Sequence, residues 1–379
     1  MKILKNSNKK ILNIGLLTSS RADYGIYKPL LKNIYQDNKI NLTIIAFGMH
    51  LKEKYGHTID DISNDNFGNI NIVKGMSDKD SPQDIANSYG QLVKNFSEYW
   101  ENNEFDYVFA LGDRFEMSAA VQSGIPFEIK FIHLHGGETT LGSLDNIYRH
   151  QITLASKIHF VATNKYLNKV HSIIGNRKNI YNYGALSLDG IDKIKLPKWS
   201  NVCKKFNIPS KDFILVTFHP ETVGLDKNKV YANVVFESMK KISEDTNIVI
   251  SLPNADAAGD LYRKSMIKLA RLFPDKISLV ENFGRENYFS AIHHCSMMIG
   301  NTSSGILEAA SFKKYVINVG DRQKGRLKNK NVFDVSFSKK EILKNYKSVK
   351  TLGEFSGKNI FFKKNTVEKI LETIKNYDS

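Results

Sequence analysis

Short, almost wholly apolar runs recur along the chain, separated by longer stretches with helical periodicity. In the first half the runs ILNIGLL (Ile11–Leu17), LTIIAF (Leu42–Phe47), YVFALG (Tyr107–Gly112), IKFIHLH (Ile129–His135) and IHFVAT (Ile158–Thr163) predict strands. The stretches Gln83–Trp100 and Asp145–Ser156 predict helices between them. A strand that is apolar on both faces and is followed by a helix belongs in a parallel sheet covered on both sides.

The rhythm pauses over Leu186–Lys211, where IDKIKLPKWS and IPSKD bring Pro, Lys and Ser together; this predicts a linker. It then resumes with FILVTF (Phe213–Phe218), NIVISL (Asn247–Leu252), ISLVEN (Ile277–Asn282), MMIG (Met297–Gly300) and YVINVG (Tyr315–Gly320) as strands. Asp256–Phe273, Glu286–Cys295 and Ser304–Phe312 read as helices, and Thr366–Tyr377 as a terminal helix. The fold class is therefore α/β, with two Rossmann-like domains and a cleft between them. The expected boundaries are residues 1–185, 186–360 and a C-terminal helix, 361–379, packing back on the first domain. In open α/β sheets ligands sit beyond the carboxyl ends of the strands.

The length of 379 residues suits two domains. No apolar run approaches a membrane span, and MKILKNSNKK leads into a first strand rather than a cleavage site. Two widely separated cysteines, Cys203 and Cys295, exclude a disulfide framework and fit a reducing cytoplasm. The net charge of +15 raises nucleic acid as a partner, but Lys and Arg are interspersed with acids and no basic run stands apart. Neither nucleic acid nor membrane is expected as a partner.

The polar motifs fall just after the strands. In TSSRADYG (Thr18–Gly25), Arg21 lies where a helix begins, a place suited to phosphate; the alternative is a surface Arg–Asp pair with Asp23 capping the helix. In ALGDRFE, Asp113 is either a helix N-cap or a cleft acid or base. In HLHGGETTLGSLDN, His133 and His135 would share a strand face, but no third ligand stands at metal spacing, so no metal is expected. Glu138 emerges after two glycines, and Asp145 opens a helix, where capping is its plain role. Several carboxyls at strand ends can divide acid and base roles.

His219 follows a strand in TFHPET, and its position there favours a cleft role. In IGNTSSGILEAA, Ser303, Ser304 and Gly305 open a helix and make an anion nest suited to a diphosphate, while Glu308 suits a sugar hydroxyl. The motif lacks the GK[ST] of a P-loop, so ATP hydrolysis is not expected. In NVGDRQKGR, Arg322, Lys324 and Arg326 either steer a diphosphate or form a solvated basic loop. His293, His294 and Cys295 are adjacent on a helix and read as structural.

Taken in order, SRADYG, GDR, HGGE, RH.IT (Arg149–Thr153), FHPET, GN.SSG and GDRQ.GR resemble the UDP-N-acetylglucosamine 2-epimerase family, from Ile14 to about Arg326. The family's glycosyltransferase-B architecture has two Rossmann-like domains. The pairing of SRADYG with GDRQKGR resembles the hydrolysing branch, which releases UDP and N-acetylmannosamine for sialic acid synthesis; similar enzymes use a 4-acetamido-6-deoxy sugar for legionaminic acid. The resemblance implies acid/base roles for Asp113 and Glu138, a supporting role for Asp145, and a diphosphate contact for His219 that assists leaving. It implies phosphate contacts from Arg21, Ser303, Ser304 and Arg322, a ribose contact from Glu308, uracil beside the Phe283 backbone, and Asn254 bordering the site. It implies a UDP-sugar as partner, no cofactor, and a homodimer.

Overall fold

The computed structural model describes residues 11–53, 56–79, 81–139, 141, 145–221, 225–252 and 259–377. Among these residues the apolar runs form two parallel sheets. The first holds β1 (Leu12–Thr18), β2 (Ile40–Phe47), β3 (Asn69–Val73), β4 (Tyr107–Leu111), β5 (Phe131–Leu134), β6 (Ser156–Val161) and β7 (Ile180–Asn182), in the order β3-β2-β1-β4-β5-β6-β7. The second holds β8 (Phe213–Thr217), β9 (Asn247–Ser251), β10 (Ile277–Val280), β11 (Met297–Gly300), β12 (Tyr315–Val319) and β13 (Val332–Val335), in the order β10-β9-β8-β11-β12-β13. Both are doubly wound, and the strand order reverses between β1 and β4 and between β8 and β11. These are the switch points where such sheets present ligand crevices.

Alternation along the strands builds the layers. In the first sheet Leu16, Ile44 and Ala46 enter one core, with Tyr27, Leu30 and Leu31 of the helix Arg21–Tyr35. Their neighbours Leu17, Ile45 and Phe47 enter the opposite core, with Leu92, Phe96 and Trp100 of the helix Pro82–Glu101. The second sheet packs Ile214, Val216, Ile248 and Ile250 against Val235 and Met239 of the helix Asn228–Ile242.

The chain divides into two compact units. One comprises Met1–Gly137, Asp145–Asp189 and Lys363–Ser379; the other comprises Glu138–Leu144 and Gly190–Phe362. The terminal helix Thr366–Lys375 lies in the first unit and buries Val367, Ile370, Leu371 and Ile374. Each such side chain contributes about 1.5–3 kcal/mol of burial. Two bonds fix the start of this helix: the Val367 N–H donates to Asp189 Oδ1 at 3.2 Å, and Thr366 Oγ1 donates to the Tyr183 carbonyl at 2.6 Å.

Residues 186–211 are not simply a linker. A helix forms over Trp199–Phe206, where Trp199 stacks on Phe213 at 4.9 Å and on His294 at 5.3 Å. Val202, Cys203 and Ile208 of the same segment are buried as well. The stretch Ser304–Phe312 is also not one helix: Ser303–Leu307 is α-helical and Ala309–Phe312 is a 3-10 turn, with the break at Glu308.

Candidate active site

In the first unit, β1 ends at Thr18 and the helix Arg21–Tyr35 begins three residues on. Asp23 folds back over this turn. Its carboxylate accepts from Thr18 Oγ1 (3.0 Å), the Ser19 N–H (2.9 Å), Ser19 Oγ (3.0 Å) and the Ser20 N–H (2.9 Å). Asp23 is buried, so it is not the surface partner of Arg21; it shapes the turn from which Arg21 stands exposed at the first helical position. Buried His50 supports the same turn, its Nε2 lying 3.0 Å from Thr18 Oγ1.

After β4 the chain turns at Gly112 (φ 81), and the N-cap of the helix Phe115–Ser123 is Arg114. Asp113 is therefore not the cap. It forms an ion pair with Arg149, whose side chain is 2% exposed, while that of Asp113 is 21% exposed. The other arm of Arg149 donates to the His135 carbonyl at 2.7 Å. His135 has φ 64 and lies past β5, so His133 and His135 do not line one strand face. His133 is buried; its Nε2–H donates to the Gly112 carbonyl (3.0 Å), and its Nδ1 lies 3.1 Å from Thr153 Oγ1, whose hydroxyl donates to the Arg149 carbonyl at 2.9 Å. Burial pushes its pKa down to about 3, which leaves the ring neutral, and the Gly112 carbonyl, which can only accept, puts the proton on Nε2. His133 thus fastens the Asp113 turn to the helix Asp145–Ala155, which Asp145 opens. Burial opposes the charge on Arg114, but Glu116 at 2.6 Å, then Asp23 and Asp145, outweigh it and hold its pKa above the ordinary value. Arg21 and Asp113 follow the two strands that flank the first switch point.

In the second unit, β8 leads into His219 and β11 into Asn301 and the helix Ser303–Leu307. The Asn301 side chain bridges the switch point: Oδ1 accepts from the His219 N–H at 2.7 Å, and Nδ2 donates to the His219 carbonyl at 2.8 Å. Buried Gln323 donates to the Asn301 carbonyl at 2.9 Å. Burial, then the charge of Arg322, pushes the His219 imidazole down to about 3, so it is neutral near pH 7. Gly305 packs on β12, where a Cβ would come 2.9 Å from Val316 Cγ1. Ser304 Oγ donates to Glu308 Oε2 at 2.6 Å, and Glu308 is buried. Phe283 is buried against Phe206, with ring centroids 5.0 Å apart. Glu221 Oε1 accepts from the N–H groups of Asp321 (2.8 Å) and Arg322 (3.1 Å), which sets the turn carrying Arg322. The three cations of GDRQKGR separate: Lys324 pairs with Asp321 at 3.2 Å, and Arg326 lies 3.9 Å from Glu138. Glu138 belongs to this second compact unit, not to the first domain with Asp113. Asn254 lies outside the described residues. Among the described residues no group of three His, Cys, Asp or Glu side chains is placed to hold a metal ion, and no helix is long and apolar enough to cross a membrane.

Asp23 does cap the helix, through a capping box with Ser20, whereas Glu221, Asn301 and Gln323 were assigned no role from sequence. The only signal for these three is that they sit one to four residues past a strand, inside motifs already singled out. Arg149 had a further signal, the i,i+4 spacing with Thr153 that puts both on one helix face.

The family model for UDP-N-acetylglucosamine 2-epimerase matches residues 32–375. The chain belongs to that family. The chain is 33% identical over 334 residues to the UDP-N,N'-diacetylbacillosamine 2-epimerase (hydrolyzing) of Legionella pneumophila, covering 88% of this chain and 87% of the relative. It is 30% identical over 374 residues to the polysialic acid biosynthesis protein P7 of Escherichia coli, covering 97% and 94%. The solved structure of the Neisseria meningitidis UDP-GlcNAc 2-epimerase bound to UDP-GlcNAc aligns with a TM-score of 0.78 at 15% identity, over 96% of this chain and 99% of that one. At that identity the likeness shows a shared fold.

The buried histidines of the epimerase make its stability depend on pH. Burial lowers His133 to about 3 and His159 to about 4 from the ordinary 6.5. The unfolded chain takes up protons at these rings below pH 6.5 while the folded chain does not, so stability present above pH 6.5 is lost as pH falls toward the folded values. The pair should cost about 4 kcal/mol between pH 8 and pH 5, from about 1.4 kcal/mol per pH unit per ring once well below 6.5. Urea unfolding at the two pH values measures this. His219, also lowered to about 3, adds to the measured difference; His159→Phe should remove about 2 kcal/mol of it, and an unchanged difference in that variant would refute the assignment.

Proposed function

We propose that this protein is a hydrolysing 2-epimerase that converts UDP-N-acetylglucosamine and water to N-acetylmannosamine and UDP. The observation that carries the reading is the 33% identity, over 88% of the chain, to a relative named as a hydrolysing 2-epimerase. The E. coli relative, named for polysialic acid biosynthesis, supports an N-acetylmannosamine product.

The chemistry demands coupled bond breaking. The C2 hydrogen of the sugar is not beside a carbonyl and is barely acidic, so it leaves only as the anomeric C1–O bond breaks. In the α-linked gluco sugar C2–H and C1–O are trans-diaxial, which allows anti elimination to a 2-acetamidoglucal. On this reading a carboxylate, Asp113 or Glu138, takes the C2 proton, with Asp145 in support. UDP leaves as Arg21, His219, Ser303, Ser304 and Arg322 stabilise the diphosphate. The neutral His219 ring donates a hydrogen bond without needing to be charged. The Gly305 amide adds a donor, Glu308 takes the ribose, the Phe283 backbone lies by the uracil, and Asn254 borders the site. A carboxylic acid then protonates C2 from the other face, and water adds at C1.

Incubation with UDP-N-acetylglucosamine in heavy water, followed by NMR, tests this. Free N-acetylmannosamine with deuterium at C2, together with UDP, is expected. UDP-N-acetylmannosamine would instead place the chain in the non-hydrolysing branch, and a glycosylated acceptor would make it a transferase. The Legionella relative favours a second reading: the same chemistry on a UDP-2,4-diacetamido-2,4,6-trideoxy sugar, for legionaminic acid synthesis. Turnover of that sugar nucleotide alone would select it.

Glu308→Ala separates binding from chemistry. It removes the acceptor of the Ser304 hydroxyl. UDP affinity by calorimetry should fall about tenfold, the scale of one charged hydrogen bond, with kcat within about threefold. Unchanged UDP affinity would reject the ribose role.

A further inference from the structure

Glu138 carries the proposed proton-transfer chemistry, yet its side chain is 5% exposed. A carboxylate so buried is costly unless a cation and hydrogen-bond donors compensate it. The chain around it is gripped by three consecutive residues of the loop after β12. The Leu141 N–H donates to the Lys324 carbonyl at 2.9 Å. Gly325, at φ 85, lets Leu141 come close; a Cβ there would stand 2.7 Å from Leu141 Cγ. The guanidinium of Arg326 lies 3.9 Å from Glu138 Oε2, itself largely buried, with 18% of its side chain exposed. The other end of the same loop is fastened through the Asp321 and Arg322 N–H groups to Glu221. One short loop therefore carries Arg322, a proposed phosphate contact, and four residues later the cation that faces Glu138.

We propose that Arg326 is a positioning residue for Glu138: its guanidinium offsets the charge of the buried carboxylate and aims it, and through the loop ties its placement to the nucleotide end of the site. The proposal deepens the 2-epimerase reading and rests on it. Arg326 acts through Glu138 and takes no proton itself.

The test uses the full chain and whichever of the two UDP-sugars the unaltered protein turns over. Arg326→Gln should lower kcat about 100-fold, with KM for the sugar nucleotide and Kd for UDP within about threefold. Arg326→Lys keeps the charge and should recover about tenfold of that loss. In a Glu138→Gln background Arg326→Gln should cost less than about threefold more, because the interaction is already gone. Equal losses in both backgrounds, no recovery with Lys, or UDP affinity falling in step with kcat would overturn the proposal; the last would make Arg326 a phosphate ligand. If Arg326→Gln does not fold, the Lys variant carries the same comparison. If the unaltered protein turns over neither sugar, the epimerase reading fails, and hydrogen exchange at the Leu141 amide decides the positioning contact. Faster exchange in Arg326→Lys or Arg326→Gln supports it, and unchanged exchange overturns it.

Discussion

Asp113→Asn is expected to lower turnover at least about a thousandfold while UDP affinity stays within a few-fold, the pattern of a group used only in the transition state. The replacement keeps the shape of the side chain and removes its charge and its basicity. Asp113 remains partly exposed just past β4, and Arg149 holds it there from the buried side. Apart from Arg21, the described residues proposed to hold UDP belong to the other compact unit, so most nucleotide contacts should survive. A second effect must be separated from the first. Without the carboxylate, the buried Arg149 guanidinium loses its counter-charge; breaking a buried pair costs about 3–5 kcal/mol, and the exposure of Asp113 puts this case at the lower end or below. Thermal melts of the variant therefore accompany the kinetics. Glu138→Gln should show the same loss of turnover. Full activity in either variant would end the acid/base assignment.

Gly300→Ala is expected to destabilise the second unit by about 4 kcal/mol or more, enough to leave little folded protein. Gly300 ends β11 at φ 154 and pairs with Thr217 at the end of β8. A Cβ on Gly300 would overlap the Thr217 carbonyl oxygen, and backbone cannot swing aside as a side-chain tip can. These two strands carry His219, Asn301 and the serines, so any residual fold should also bind UDP poorly. Gly175→Ala is the control. Gly175 has φ 78 with nothing within 4 Å of its would-be Cβ, so only the left-handed backbone cost of about 1–2 kcal/mol applies. Equal losses in the two variants, by urea unfolding, would refute the close-approach argument.

The central strands were legible because they are buried on both faces, and burial writes an uninterrupted apolar run. The strands β3, β7 and β13 were not. They are edge strands, short and partly exposed, and their residues (NINIV, IYN and VFDV) mix polar with apolar. Their identity rests on pairing with β2, β6 and β12 rather than on their own pattern. The start of the first helix, Arg21–Tyr35, was legible at Arg21 but its extent was not, because Gly25 and Pro29 interrupt its propensity, while burial of Tyr27, Leu30 and Leu31 overrides it.

The candidate site divides the same way. Sequence alone determined the two α/β halves and the crowding of Arg21, Asp113, His219 and Ser303 after strands, because both depend on local periodicity and on where a strand stops. Only the tertiary structure decided what holds them: Arg149 on Asp113 from 36 residues away, Asn301 on His219 from 82, and Glu221 on the Arg322 turn from 101. It also decided that Asp23 is buried rather than paired at the surface, and that Glu138 faces Arg326. A hydrogen bond or ion pair between residues so far apart leaves no period in the chain. It exists only once each sheet, within its own unit, has brought the ends of its strands side by side.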